Sequence, residues 1–151
     1  MILVINKIDK NKNFPEVSIR KKIYELNPQI IDLPIFFISA KKKIGLSRLI
    51  EGITRQYSAW TKRISTGKLN SWLEEIIKKN PPPLYKGKSI KLKFISQINS
   101  SPPKFIIFVN INNALRQDYK RFIENNLRKN FNLNGLPLKI IYRRSDNPYD
   151  K

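Results

Sequence analysis

The chain has 151 residues, with 30 Lys and Arg against 11 Asp and Glu, a formal net charge of +19. It contains neither histidine nor cysteine, which excludes Cys/His zinc sites, thiol nucleophiles, imidazole bases and disulfides, and leaves chemistry to carboxylates, lysines and backbone amides. No apolar run reaches membrane-spanning length, so the chain reads as cytosolic, and a surface this basic points to a polyanionic partner, nucleic acid first.

Two differently built parts follow one another. Ile2 to Ile5 and Ile35 to Ile38 are continuously apolar, the pattern of strands buried on both faces of a parallel sheet. A helix over Glu16 to Leu26 lies between them. A longer one carries Leu46, Leu49, Ile50, Ile53, Tyr57, Trp60 and Ile64 at near-helical spacing. At Thr66 a new helix is signalled, with Thr66 as its cap and Leu69, Trp72, Leu73, Ile76 and Ile77 as its apolar stripe, and Pro81-Pro82-Pro83 ends it.

Beyond the prolines the period changes to two. In SIKLKFISQI, Ile90, Leu92 and Phe94 face one way and Lys91 and Lys93 the other. KFIIFVNI is a second strand, apolar on both faces and therefore central or doubly covered. Asn112 or Asn113 caps the next helix, whose stripe is Leu115, Tyr119, Phe122, Ile123 and Leu127. Gly135 follows, and PLKIIYRR is the last strand, with Leu138, Ile140 and Tyr142 on one side. The order from Thr66 is α-β-β-α-β, two helices covering one face of a three-stranded sheet.

Two loops carry recognition chemistry. The first strand runs into Asn6-Lys7-Ile8-Asp9, at the carboxyl end of a parallel strand where open α/β sheets bind ligands. A carboxylate at Asp9 can accept two hydrogens from guanine nitrogens that adenine does not present in that arrangement, while Asn6 contacts the other edge and Lys7 packs its stem on the ring. Those four letters alone are equally consistent with a turn of solvated polar residues. The second buried run, however, ends in Ser39-Ala40-Lys41, followed by Gly45 and an amphipathic helix. The pair resembles the fourth and fifth motifs of the translation-factor class of GTPases, in which the alanine amide is aimed at the guanine oxygen.

The remaining segments, PPPLYKGKSIKLKF, SPPKFIIFVN, DYKRFIENNLRKNF and GLPLKIIYRRSDNPY with its closing Asn147-Pro148-Tyr149, resemble the C-terminal region of the Der (EngA) family. That family carries two tandem GTPase domains and a KH-like domain, and is tied to assembly of the large ribosomal subunit. The resemblance implies the α/β back half of a P-loop GTPase domain over residues 1–64, followed by an α+β KH-like domain over residues 65–151. It implies guanine contacts at Asn6, Lys7, Asp9, Ser39, Ala40 and Lys41, with GTP and magnesium as ligands of the full-length family protein.

The family's phosphate loop and switch segments are expected to precede Met1. Gly87-Lys88-Ser89 is no substitute, because Pro82 stands where a phosphate loop needs glycine and the triplet leads into a strand. Without a phosphate cradle or a held magnesium ion, the chain alone is expected neither to bind the nucleotide tightly nor to hydrolyse it. The reading is of a fragment, from a truncated gene, an internal start or a split protein, with the missing GTPase domains as partners in cis or in trans. An unpaired first strand would invite such a partner, or aggregation.

No two glycines stand three apart, which excludes the G-x-x-G loop of ordinary KH domains. Residues from Thr66 onward hold 17 basic and 6 acidic side chains, about +11 of the charge. Lys91, Lys93, Lys139 and Arg143 are expected to point away from the helices, with Lys86, Lys88 and Arg144 nearby, as a face for ribosomal RNA backbone or for docking on the GTPase domains. Trp72, Phe94, Phe122 and Tyr142 fall on the inward stripe and are expected in the core rather than under bases. A stand-alone RNA-binding module and a nonfunctional remnant are the alternative readings.

Overall fold

The computed structural model describes residues 1–11, 13–27, 33–111 and 113–145. The expected cap Asn112 and the closing Asn147-Pro148-Tyr149 lie outside the described residues. The chain divides into two compact units, one of Met1–Ala59 with Asn134–Pro137, the other of Trp60–Leu133 with the chain from Leu138 onward.

In the first unit β1 (Leu3–Ile5) pairs in parallel with β2 (Ile35–Phe37), Val4 standing opposite Phe36. A single 3-10 turn, Ile8–Lys10, follows β1, and helix α1 covers Glu16–Leu26. Arg20 of α1 donates to the Ile35 carbonyl at 3.3 Å and stands over the Phe37 ring, which Phe14 meets edge-on. Helix α2 (Leu46–Thr61) follows Gly45, whose φ of +75° and closeness to the Phe37 carbonyl exclude a side chain. The Asn134–Pro137 segment joins this unit through Met1, whose terminal amine donates to the Gly135 carbonyl at 2.6 Å.

Two expectations for this unit are corrected. β1 is not buried on both faces: Val4 is exposed, because the sheet has two strands among the described residues and α1 buries no side chain against it. Nor does α2 bury the predicted stripe. Gly52 is its one buried residue, and a methyl group there would fall on the Phe36 ring. That contact turns Ile50 and Tyr57 outward at 62% and 61% exposure, with Ile53 also exposed.

The second unit contains α3 (Thr66–Lys79), β3 (Leu92–Ser100), β4 (Pro103–Val109), α4 (Gln117–Asn130) and β5 (Lys139–Arg144). The sheet order is β3-β4-β5, with β3 antiparallel and β5 parallel to the central β4. Leu69, Leu73 and Ile76 of α3 and Ile123 and Leu127 of α4 build the core against Ile95, Phe105, Ile107 and Val109. Gln97, itself buried, accepts the Ile64 N–H at 2.7 Å and donates to the Lys62 carbonyl.

The caps differ from expectation. Ser65, not Thr66, occupies the N-cap of α3, in extended conformation, and Thr66 is already helical. Arg116 takes that position in α4, whereas Asn113 sits upstream with φ +56°. Phe94 is also misplaced by simple alternation. Leu92 pairs with Val109 and Phe94 with Phe108, so two residues of β3 oppose one of β4 and Lys93 forms a bulge. The bulge reverses the parity: Leu92 and Ile95 both face the core, and Phe94 turns outward, 41% exposed.

Candidate functional site

The two loops that follow β1 and β2 are clasped together. Asn6, at the end of β1, accepts the Ala40 N–H at 3.1 Å and the Lys7 N–H at 2.7 Å through Oδ1. The alanine amide expected to face a ligand is thus donated to Asn6 in this structure. Ser39 is fully buried, and its hydroxyl donates to Asp9 Oδ1 at 2.5 Å while accepting the Lys42 N–H at 3.2 Å. Backbone bonds complete the clasp: Ile8 N–H to the Ile38 carbonyl, Ile38 N–H to the Ile5 carbonyl, and a reciprocal pair between Ser39 and Ile44. Lys7, at φ +67°, Ala40 and Lys41 are exposed.

The Asp9 carboxyl is held below the ordinary carboxylate range, first by the Ser39 hydroxyl, then by its own backbone N–H and by Lys42 and Lys41; desolvation opposes them. Ser39 therefore orients Asp9 from beneath, a role that the spacing of the motif does not reveal. The result is an ionised acceptor at a fixed rotation beside an exposed lysine. Among the described residues no group of three or more acidic side chains could hold a metal ion.

In the second unit the register sorts side chains into rows on the outer face of the sheet. Phe94, Phe108 and Arg143 form one row, Ser96, Ile106 and Ile141 the next, and Asn99, Lys104 and Lys139 the third. None of the three strands carries a carboxylate. Lys93, on the bulge, reaches Ser145 Oγ just past β5 at 2.8 Å, and exposed Lys91, just before β3, is held by Asn110, whose side-chain Oδ1 accepts the Lys91 N–H at 2.8 Å and whose own N–H donates to the Lys91 carbonyl. Lys104, which the sequence reading omits, stands between Asn99 and Lys139.

Lys86, Lys88 and Arg144 are placed elsewhere. Arg144 is in register with Val109, in the inward set, and with Tyr85, Lys86, Lys88, Asn110 and Ile111 it lines a cleft of about 410 Å³. Asn110 Nδ2 donates to the Ser89 carbonyl at 2.9 Å, tying the Tyr85–Lys88 turn to the end of β4. The seven cations thus form two groups, one on the sheet and one in this cleft.

An α-β-β-α-β unit with a mixed three-stranded sheet, covered on one side by two helices, defines the KH-like class. Residues 63–143 match the model of the KH-domain-like C-terminal domain of EngA bacterial GTPase enzymes, and the chain belongs to this Der (EngA) family. It is similar to GTPase Der of Bartonella bacilliformis, at 37% identity over 98% of this chain and 32% of that protein. The corresponding values are 35%, 98% and 31% for GTPase Der of Mesorhizobium japonicum, and 35%, 99% and 34% for that of Rickettsia prowazekii. The chain spans about a third of the length of these curated relatives. No helix among the described residues is long and apolar enough to cross a membrane.

Proposed function

We propose that this chain supplies the base-specificity loops and the RNA-contacting domain of a Der-type GTP-binding protein in large-subunit ribosome assembly. The observation that carries the RNA reading is the outer sheet face: Lys93, Lys104, Lys139 and Arg143 on three strands with no carboxylate among them. Phosphates held there would position RNA without reading its sequence. Lys86, Lys88 and Arg144 in their cleft offer a second anchor for the same backbone.

The first unit, in this reading, is the guanine-specifying half of a P-loop GTPase domain. Its groups suit a purine base: a fixed carboxylate at Asp9, the amide nitrogen of Asn6 and the stem of Lys7, while the Ala40 N–H, here donated to Asn6 Oδ1, would turn to the base on binding. Ser39 supports Asp9, and Lys41 lies at the rim. A triphosphate and its magnesium would be held by GTPase segments supplied in cis or in trans, which would also cover the outward row of Ile50, Ile53 and Tyr57 on α2.

The test is binding of structured large-subunit ribosomal RNA across a salt series. Affinity should fall steeply with salt, and changing Lys91, Lys93, Lys139 and Arg143 together to Ala should flatten that dependence. An unchanged slope removes the sheet face from the reading. Equilibrium dialysis of the chain against a labelled GTP analogue should give no saturable binding in the micromolar range, since much of a nucleotide's affinity in such proteins comes through its phosphates and metal.

A further inference from the structure

The Lys93 bulge places an aromatic ring where a simple alternating strand would have put it in the core. Phe94 lies outward and exposed beside Phe108, with ring centroids 6.3 Å apart and planes inclined by 42°. The same row ends in Arg143, and Lys93 reaches across the neighbouring strand to Ser145. The adjoining row, Ser96, Ile106 and Ile141, is uncharged; the row after it brings Lys104 and Lys139. Ile98, at a second irregularity of β3, is exposed as well. The face is therefore an apolar, partly aromatic strip with cations at both ends.

Holding a phenyl ring against water is unfavourable, and a patch framed by cations without a carboxylate repels basic surfaces and attracts a polyanion. Unpaired RNA uses both features, since every base has a π-face for the rings and every linkage a phosphate for the cations. Duplex RNA, with its bases stacked inside, could use only the cations.

We propose that the outer face of this sheet is a stacking platform for unpaired RNA, with a base on Phe94 beside Phe108 and the flanking phosphates on Lys93, Lys104, Lys139 and Arg143. This rests on the RNA-binding reading given above and adds a preference for single strands to it.

The test uses the full chain and a short single-stranded RNA with 2-aminopurine at its centre, compared with the same RNA in a duplex. Binding should quench the fluorophore by stacking and favour the single strand. Phe94→Leu should weaken single-strand binding about tenfold and leave duplex binding unchanged, while Phe94→Trp retains both affinity and quenching. Far-UV circular dichroism checks the folding of each variant, and quenching by the unaltered chain decides the matter if Phe94→Leu fails to fold. Salt-dependent binding with no quenching and no single-strand preference overturns the platform but leaves the phosphate reading standing. No binding of either RNA overturns both, and loss of a GTPase-domain contact in Phe94→Leu with RNA binding intact makes the face a protein interface.

Discussion

Asn70 of α3 grips both backbone groups of Ile95 on β3: its Oδ1 accepts the Ile95 N–H at 3.0 Å and its Nδ2 donates to the Ile95 carbonyl at 3.0 Å. β3 is an edge strand, and one side-chain amide thus does locally what a neighbouring strand would do. Asn70→Ala should cost about 2 kcal/mol, because it leaves buried backbone groups without partners. Urea unfolding followed by tryptophan fluorescence checks this, since both tryptophans, Trp60 and Trp72, belong to the same unit.

Gly52→Ala should destabilise the first unit by about 1–3 kcal/mol, as the added methyl displaces the Phe36 ring. Adding Phe36→Leu should recover part of the loss. Amide exchange at β1 and β2 would report it, and protection equal to that of the unaltered chain would show that the ring moves without cost.

Ser39→Ala should let the Asp9 carboxyl titrate closer to its ordinary value of 3.8. The folded state lowers this pKa, so the contact stabilises above pH 3.8 and its contribution is lost as pH falls through the lowered folded value. A carboxyl NMR titration of Asp9 in both chains measures the shift directly.

Buried Tyr119 and half-buried Tyr142 should behave oppositely. The Tyr119 hydroxyl donates to the Asn80 carbonyl at 2.8 Å, whereas the Tyr142 hydroxyl is buried without a partner among the described residues. Tyr119→Phe should cost about 1 kcal/mol, and Tyr142→Phe should be neutral or stabilising. Burial pushes the Tyr119 phenol up to about 12. The unfolded phenol, ionising near 10.0, releases its proton first, so stability should decline between those values and Tyr119→Phe should remove that part of the decline. Thermal unfolding of each variant across this alkaline range is the measurement.

Lys104→Ala should lower the slope of log affinity for single-stranded RNA against log salt by about 0.7, the loss of one phosphate contact. A slope equal to that of the unaltered chain would place Lys104 outside the contact.

Much of this architecture is legible in the residues. Helix α1 occupies the expected Glu16–Leu26, and the proline run stops α3 at Lys79. KFIIFV reads as central because both its faces are apolar, and β4 is central. Periodicity fails where one residue changes the phase. A bulge leaves no mark in composition, so Lys93 hides the outward turn of Phe94. On α2 a side chain that is missing decides the packing: Gly52, invisible to a search for apolar stripes, admits Phe36 and rotates Ile50 and Tyr57 away. At the loops, residue types identify Asn6 and Asp9 as acceptors, but the burial of Ser39 beneath Asp9 depends on how the two strand ends meet in the fold.

The outer face of the KH-like sheet has neither imidazole nor carboxylate, the side chains that change charge nearest neutrality. Acidification within the physiological range therefore has no handle on it. Whatever anion rests on these strands is exchanged by competition from dissolved ions, so the ionic medium, rather than proton concentration, sets how long it stays.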